Sequence, residues 1–294
     1  MESRKCHIAA LAAVLAASPA FAQPKRPAIV GVAEIGLKVT DAAEARKFYG
    51  QGLGFAEVFQ VGQSTYFKVN DHQYIQVTPG LKDDSEDRLV RVAFETANVR
   101  QLRDYLAGKG VTVPDKVAPN AEGDLSFTVN DPEGRAIEFL EFTQGSLTSR
   151  NFGKALGANR VSDHIIHSGY IVQDRAVENR FYKDILEFHE MWYGGMTDDR
   201  ADWIDMRVPE GKDWLEYMCN QPHPSTRTRG VMNHIALGVP SVEKAYEKVA
   251  AIAKEKPKIG RDGKWQLNLY DADLTRVELM EPAPVQKPCC SEFK

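Results

Sequence analysis

Apolar positions alternate with polar or small ones from Val32 to Val39, the period of a strand that buries one face. Asp41 then stands where a helix cap is needed, ahead of an amphipathic run over Ala42–Gly50. Apolar-rich stretches at Phe55–Val61, Ser64–Val69 and Gln73–Thr78 complete a βαβββ order. The same pattern restarts at Leu89, with a helix over Val99–Gly108 and two strands between Asp124 and Phe142 around the turn Asn130-Asp131-Pro132-Glu133-Gly134. It restarts again at Val161, with strands near Ile165–Val172, Phe188–Tyr193, Ala201–Val208 and Trp214–Cys219. A last unit runs from Val231 to Glu281, with a first strand at Met232–Val239, a helix at Val242–Lys254 and closing strands at Trp265–Tyr270 and Arg276–Met280.

These units are copies. Shifting Ala33–Phe55 by 133 residues onto Ile166–Phe188 superposes Val39 on Val172, Asp41 on Asp174, Phe48-Tyr49 on Phe181-Tyr182 and Phe55 on Phe188. A shift of 143 lays Arg91 on His234 and Val99 on Val242, and a shift of 140 lays Asp131 on Asp271 and Glu138 on Glu278. The fold expected is therefore α+β, with four βαβββ modules paired one-two and three-four. The first pair occupies residues 23–142 and the second residues 161–282, with a linker over 143–160 and a tail over 283–294.

The N-terminus adds a compartment. Arg4 and Lys5 precede an apolar run over Ile8–Ala17 and the small-x-small site Ala20-Phe21-Ala22, so residues 1–22 read as a secretory signal. The apolar run is too short to span a bilayer as a lone helix. The expectation is a periplasmic or secreted protein without stable membrane insertion once the signal is removed. The formal charge is -4, and loss of Glu2, Arg4 and Lys5 takes it to -5. No basic stripe marks a nucleic-acid partner. Cys219, Cys289 and Cys290 remain after the leader. The last two are neighbours, and disulfide geometry favours well-separated Cα atoms, so a bridge between them is not expected.

The paired modules resemble the vicinal oxygen chelate superfamily, which includes glyoxalase I, methylmalonyl-CoA epimerase, bleomycin- and fosfomycin-resistance proteins and extradiol dioxygenases. The resemblance covers residues 29 to 282. It implies two cupped, incompletely closed sheets, with metal ligands on the first and last strands of each module. On the third and fourth modules those positions are His167, Glu216, His234 and Glu278. Two imidazoles and two carboxylates form an N/O set for one divalent transition ion, iron, manganese, cobalt, nickel or zinc. On the first two modules the same positions hold Glu34, Gln76, Arg91 and Glu138. A fixed guanidinium there implies a metal-free N-terminal cup.

Among other residues, His164 lies three before His167, so a regular strand turns it to the opposite face. Trp214 and Met218 share a face with Glu216 by the two-residue period and suit pocket walls. Tyr193, Trp203 and Asp205 fit pocket or ordinary packing equally, and His189 and His223 fall off the ligand positions.

The His/Glu/His/Glu order resembles glyoxalase I and the epimerases, which implies lyase or isomerase chemistry on a small substrate chelated through neighbouring oxygens. Glu216 and Glu278 are then the proton carriers. Extradiol cleavage, which would use His167, His234 and Glu278 alone, is the alternative. Against it, Tyr270 is followed by Asp271-Ala272-Asp273-Leu274 instead of the Asp-Pro-x-Gly turn of those enzymes, and Glu216 adds a second carboxylate. A non-catalytic binder of small molecules is a further alternative, and the architecture leaves room for a homodimer.

Overall fold

The computed structural model describes residues 25–294 except Pro222, so the leader reading over residues 1–22 lies outside the described residues. One eight-stranded sheet comprises β1 (Ile29–Val39), β2 (Ala56–Val61), β3 (Ser64–Lys68), β4 (Tyr74–Pro79), β5 (Leu89–Thr96), β6 (Ala118–Pro119), β7 (Leu125–Asn130) and β8 (Ala136–Glu141). Its order is β2-β3-β4-β1-β5-β8-β7-β6. A second sheet comprises β9 (Ile165–Ile171), β10 (His189–Gly194), β11 (Trp203–Arg207), β12 (Trp214–Met218), β13 (His234–Gly238), β14 (Lys258–Ile259), β15 (Trp265–Tyr270) and β16 (Arg276–Met280), in the order β10-β11-β12-β9-β13-β16-β15-β14. Each sheet is two βαβββ modules joined by their antiparallel first strands, β1 with β5 and β9 with β13. The sheets curl into half-barrels. Among the described residues no helix is long and apolar enough to cross a membrane.

The first strands carry the core because they are central. Every residue of β9 is buried, as are nearly all of β1. One apolar core spans both sheets, and across it Phe94 meets Phe188 with ring centroids 5.4 Å apart.

Asp41 and Asp174 cap the first helix of their modules, accepting from Ala43 N and from Ala176 and Val177 N. Those helices then widen into π-helical turns over Arg46–Gly52 and Arg180–Ile185, which the sequence pattern does not reveal. The widening buries Phe48-Tyr49 and Phe181-Tyr182. The two tyrosines reach across to the other half of the chain. Tyr49 OH donates to Asp271 at 3.0 Å and Tyr182 OH donates to Asp131 at 3.1 Å.

The segment expected as a linker contains a short helix, Leu147–Arg150. The tail also has a defined course. It crosses from the turn after β14, where Val285 N donates to Gly263 O and Cys289 N donates to Arg261 O, to the edge strand β10. There Ser291 bonds Tyr193 N and O, and Lys294 N donates to Met191 O. The two edges of the second sheet are thereby bridged. One expectation is overturned here: Cys289 and Cys290 are disulfide-bonded, with Cα atoms 3.8 Å apart. The tail turns at Cys290, whose φ is +69°, and the neighbouring Sγ atoms meet despite the short Cα separation.

Candidate metal centre

Strand register decides what meets inside the second half-barrel. Glu216 on β12 pairs with Gly169 on β9, which pairs with His234 on β13, which pairs with Arg276 on β16. The rung two residues away runs Trp214, His167, Ala236, Glu278. Positions two apart in a strand share a face, so all of these line one side of the sheet. Gly169 makes the crossing feasible. A Cβ there would lie 2.0 Å from His234 Cε1, inside the space its imidazole fills.

The resulting cluster is tight. His167 Nε2 and His234 Nε2 are 3.0 Å apart, and Glu278 Oε2 lies 3.6 Å from the first and 3.7 Å from the second. Ligand atoms of His167, His234 and Glu278 all fall within 4.8 Å of one another. Glu216 stands to one side, its Oε2 3.4 Å from His234 Nε2. His234 Nδ1 lies 3.1 Å from Met232 O and 2.5 Å from Arg276 Nη2, between an acceptor and a donor. His167 stacks near Trp214, with centroids 4.8 Å apart, and its buried Nδ1 has no partner among the described residues.

Burial first, then Lys264 and Arg276, pushes His167 well below the usual imidazole range. Burial first, then Arg276 and His167, does the same to His234. Both shifts favour the neutral ring, the form in which imidazole binds a metal. Burial, followed by the Asp205 and Glu278 carboxylates, raises Glu216 well above the ordinary range. Glu278 is pushed up to about 7, again chiefly by burial. Two imidazoles with two crowded carboxylates form a donor set that a divalent cation fits: hard and borderline ligands and no sulfur.

A cavity of about 750 Å³ opens above this cluster. Asp205, Glu216, Asn268, Arg276 and Glu278 reach it, Trp192 and Trp203 wall it, and the tail forms its rim at Cys289 and Cys290. Asp205 pairs with Glu216 on the adjoining strand, and Asn268 pairs with Glu278. Sequence reasoning left Asp205 open and missed Arg276 and Asn268. Arg276 lies two residues before Glu278 and shares its face, so the strand period held that signal. Arg276 Nη2 is 3.1 Å from His234 Nε2 and 3.6 Å from Met218 Sδ. Lys264 is a third omission, with Nζ 4.8 Å from the Trp214 ring and 3.6 Å from Asp262.

His164 does not join the cluster. Its Nε2 bonds Asp213 Oδ1 at 2.6 Å, and Asp213 also accepts from Val32 N at 2.8 Å, tying the two halves together. Tyr193 packs against the core, and His189 and His223 are exposed.

The first half-barrel repeats the two rungs with other side chains. Arg91 donates to Glu34 and Glu138, and to Gln76 Oε1 at 2.9 Å. A guanidinium fills the space between the carboxylates.

Residues 31–139 match the model of the Glyoxalase/Bleomycin resistance protein/Dioxygenase superfamily. They are a domain of that superfamily. Solved structures extend this glyoxalase/dioxygenase-type fold over almost the whole chain. A variant of homoprotocatechuate 2,3-dioxygenase from Brevibacterium fuscum is similar at a TM-score of 0.66 and 19% identity, over 92% of this chain and 75% of that one. The Mn(II)-bound glyoxalase from Novosphingobium aromaticivorans is similar at 0.68 and 16%, over 91% and 86%. Homoprotocatechuate 2,3-dioxygenase from Arthrobacter globiformis is similar at 0.66 and 18%, over 91% and 84%. None of the curated proteins matches the chain. The two sheets share one strand order, so the same fold occurs twice in the chain.

Proposed function

We propose that this chain is an exported, metal-dependent enzyme of the vicinal oxygen chelate superfamily. In this reading it acts as a glyoxalase-I-like lyase or isomerase on a small substrate held through neighbouring oxygens. One observation carries the reading: His167, His234 and Glu278 converge within 4.8 Å beneath a cavity of about 750 Å³, with Glu216 set to one side. His167, His234, Glu278 and Glu216 would hold one divalent transition ion, and the Mn(II) of the glyoxalase with the same fold supports that assignment. Such an ion supplies Lewis acidity to the chelated oxygens and so acidifies the adjacent C–H.

The side chains divide the remaining work. Glu216 is offset from the other three and reaches the cavity, so its carboxylate takes the proton and returns it. Glu278, on the neighbouring rung, is the second carboxylate able to hold that proton. Asp205, buried beside Glu216, keeps that group from ionising too readily. Trp192, Trp203 and the tail limit the water that reaches it.

Extradiol ring cleavage is the second reading. The compactness of His167, His234 and Glu278 favours it, since two histidines and one carboxylate form the facial set of such oxygenases. Two assays on protein loaded in turn with iron, manganese, cobalt, nickel or zinc separate the readings. Exchange of the α-hydrogen of hydroxy-ketones and thiohemiacetals in deuterium oxide, lowered about 10²–10⁴-fold by Glu216→Gln, supports a lyase or isomerase. Dioxygen uptake with catechols that survives Glu216→Gln supports cleavage and overturns the first reading. Export is tested by the mass of the protein from a secreting host, expected to begin at Gln23.

A further inference from the structure

The Cys289–Cys290 bridge has little to do as a structural staple. A disulfide stabilises mainly by restraining the unfolded chain, and the effect grows with the loop it closes. A bridge between neighbours closes the shortest loop available. The tail is also held without it, by Ser291 on β10, by the backbone bonds to Arg261, Gly263 and Met191, and by Phe293 stacked on Trp192 at 5.9 Å. Two adjacent sulfurs therefore call for a chemical role.

Their surroundings specify one. The Sγ atoms and a carboxylate oxygen of Asp198 lie within 4.8 Å of one another, a second metal-ligand group apart from the histidine cluster. All three residues line the main cavity. Arg261 forms an ion pair with Asp198, and Lys287 lines the same wall.

We propose that Cys289, Cys290 and Asp198 form a second, sulfur-based site at the mouth of the cavity that takes a soft, thiophilic cation when the bridge is reduced. Opening the bridge is a two-electron exchange. Two molecules of a low-molecular-weight thiol are oxidised to their disulfide, and the two cysteines take up two electrons and two protons. The cation then displaces both protons to solvent and is bound by two thiolate sulfurs and one carboxylate oxygen. Sulfur ligands select soft ions, whereas the imidazole and carboxylate set deeper in the cavity suits harder ones. One cavity thus carries two sites of different selectivity, the outer one present only under reducing conditions.

Cadmium(II) is the probe. The full chain is treated with dithiothreitol, freed of it without air, assayed for thiols and titrated while the ultraviolet thiolate-to-cadmium absorption is followed. Reduction is expected to release two further thiols per chain and to create saturable absorption at one equivalent of cadmium. Oxidised protein and the Cys289→Ser/Cys290→Ser variant are expected to show none of it. Asp198→Asn should weaken the binding severalfold, and His167→Ala/Glu278→Ala should leave it intact. Absence of new thiols, absence of the absorption after reduction, or its survival in the double serine variant would each overturn the proposal.

Discussion

A single methyl group at position 169 separates the observed cluster from one that cannot assemble. Gly169 leaves the space that the His234 imidazole fills, and the Cβ of an alanine would lie 2.0 Å from Cε1. Gly169→Ala is expected to displace the ring and weaken metal retention at least tenfold, with β9 and β13 still formed. Calorimetric titration with manganese(II), alongside circular dichroism, checks both halves of that expectation. The quartet His167, Glu216, His234 and Glu278 was expected from the resemblance alone, and the structure brings its side chains together. Gly169 was not, because its necessity arises only when β9 is paired with β13 and His234 falls beside it. Arg276 escaped for a related reason: in Arg276–Met280 alone an inward arginine looks like any solvated charge. Only the register puts it next to His234. Arg91 was readable, since it stands where its counterpart is His234, and the structure places it between Glu34 and Glu138.

Repetition made the elements legible. Shared Asp, Phe-Tyr and Phe positions aligned the first and third modules, shared Val, Asp and Glu positions aligned the second and fourth, and the alternating runs fixed most strands. Two strands of two residues, β6 and β14, are too short to carry a period. The helix expected over Val242–Lys254 ends at Val249, and the helix Thr226–Met232 was not anticipated. The π-helical turns were invisible because they keep a helix-like composition while changing which carbonyl each amide meets, as in Leu53 N to Phe48 O at 2.8 Å.

Their consequence is the reciprocal pair of bonds from Tyr49 to Asp271 and from Tyr182 to Asp131. Removing either hydroxyl, by Tyr49→Phe or Tyr182→Phe, leaves a buried aspartate short of a donor and is expected to destabilise by about 1–3 kcal/mol in urea unfolding. The His164–Asp213 contact is titratable. Its hydrogen bond to Asp213 raises the histidine, so its contribution is full below about pH 6.5 and is lost as pH rises through the folded value. The histidine side chain is 39% exposed, so solvent screens the pair and about 0.5–1 kcal/mol is expected. Wild type and His164→Gln unfolded side by side should differ in acid and converge in mild alkali; a gap that widens with pH would contradict this.

Over the whole molecule, two copies of one half-barrel share a continuous core but differ in what fills them. In the first, an arginine satisfies the carboxylates; in the second, the same rungs hold histidines under a cavity. The tail bridges the open edges only as part of the folded chain, which is why a dozen residues without strong periodicity read merely as an appendage. The proposed function requires a divalent ion in the second half-barrel alone, and elemental analysis of the whole chain tests that requirement most directly. Protein purified without chelator is measured beside His167→Ala/Glu278→Ala and Arg91→Met. One transition ion per chain is expected in the wild type and in Arg91→Met, and none in the histidine/glutamate variant. Metal-free wild type that also rejects added ions, or full occupancy in the histidine/glutamate variant, would contradict the central claim.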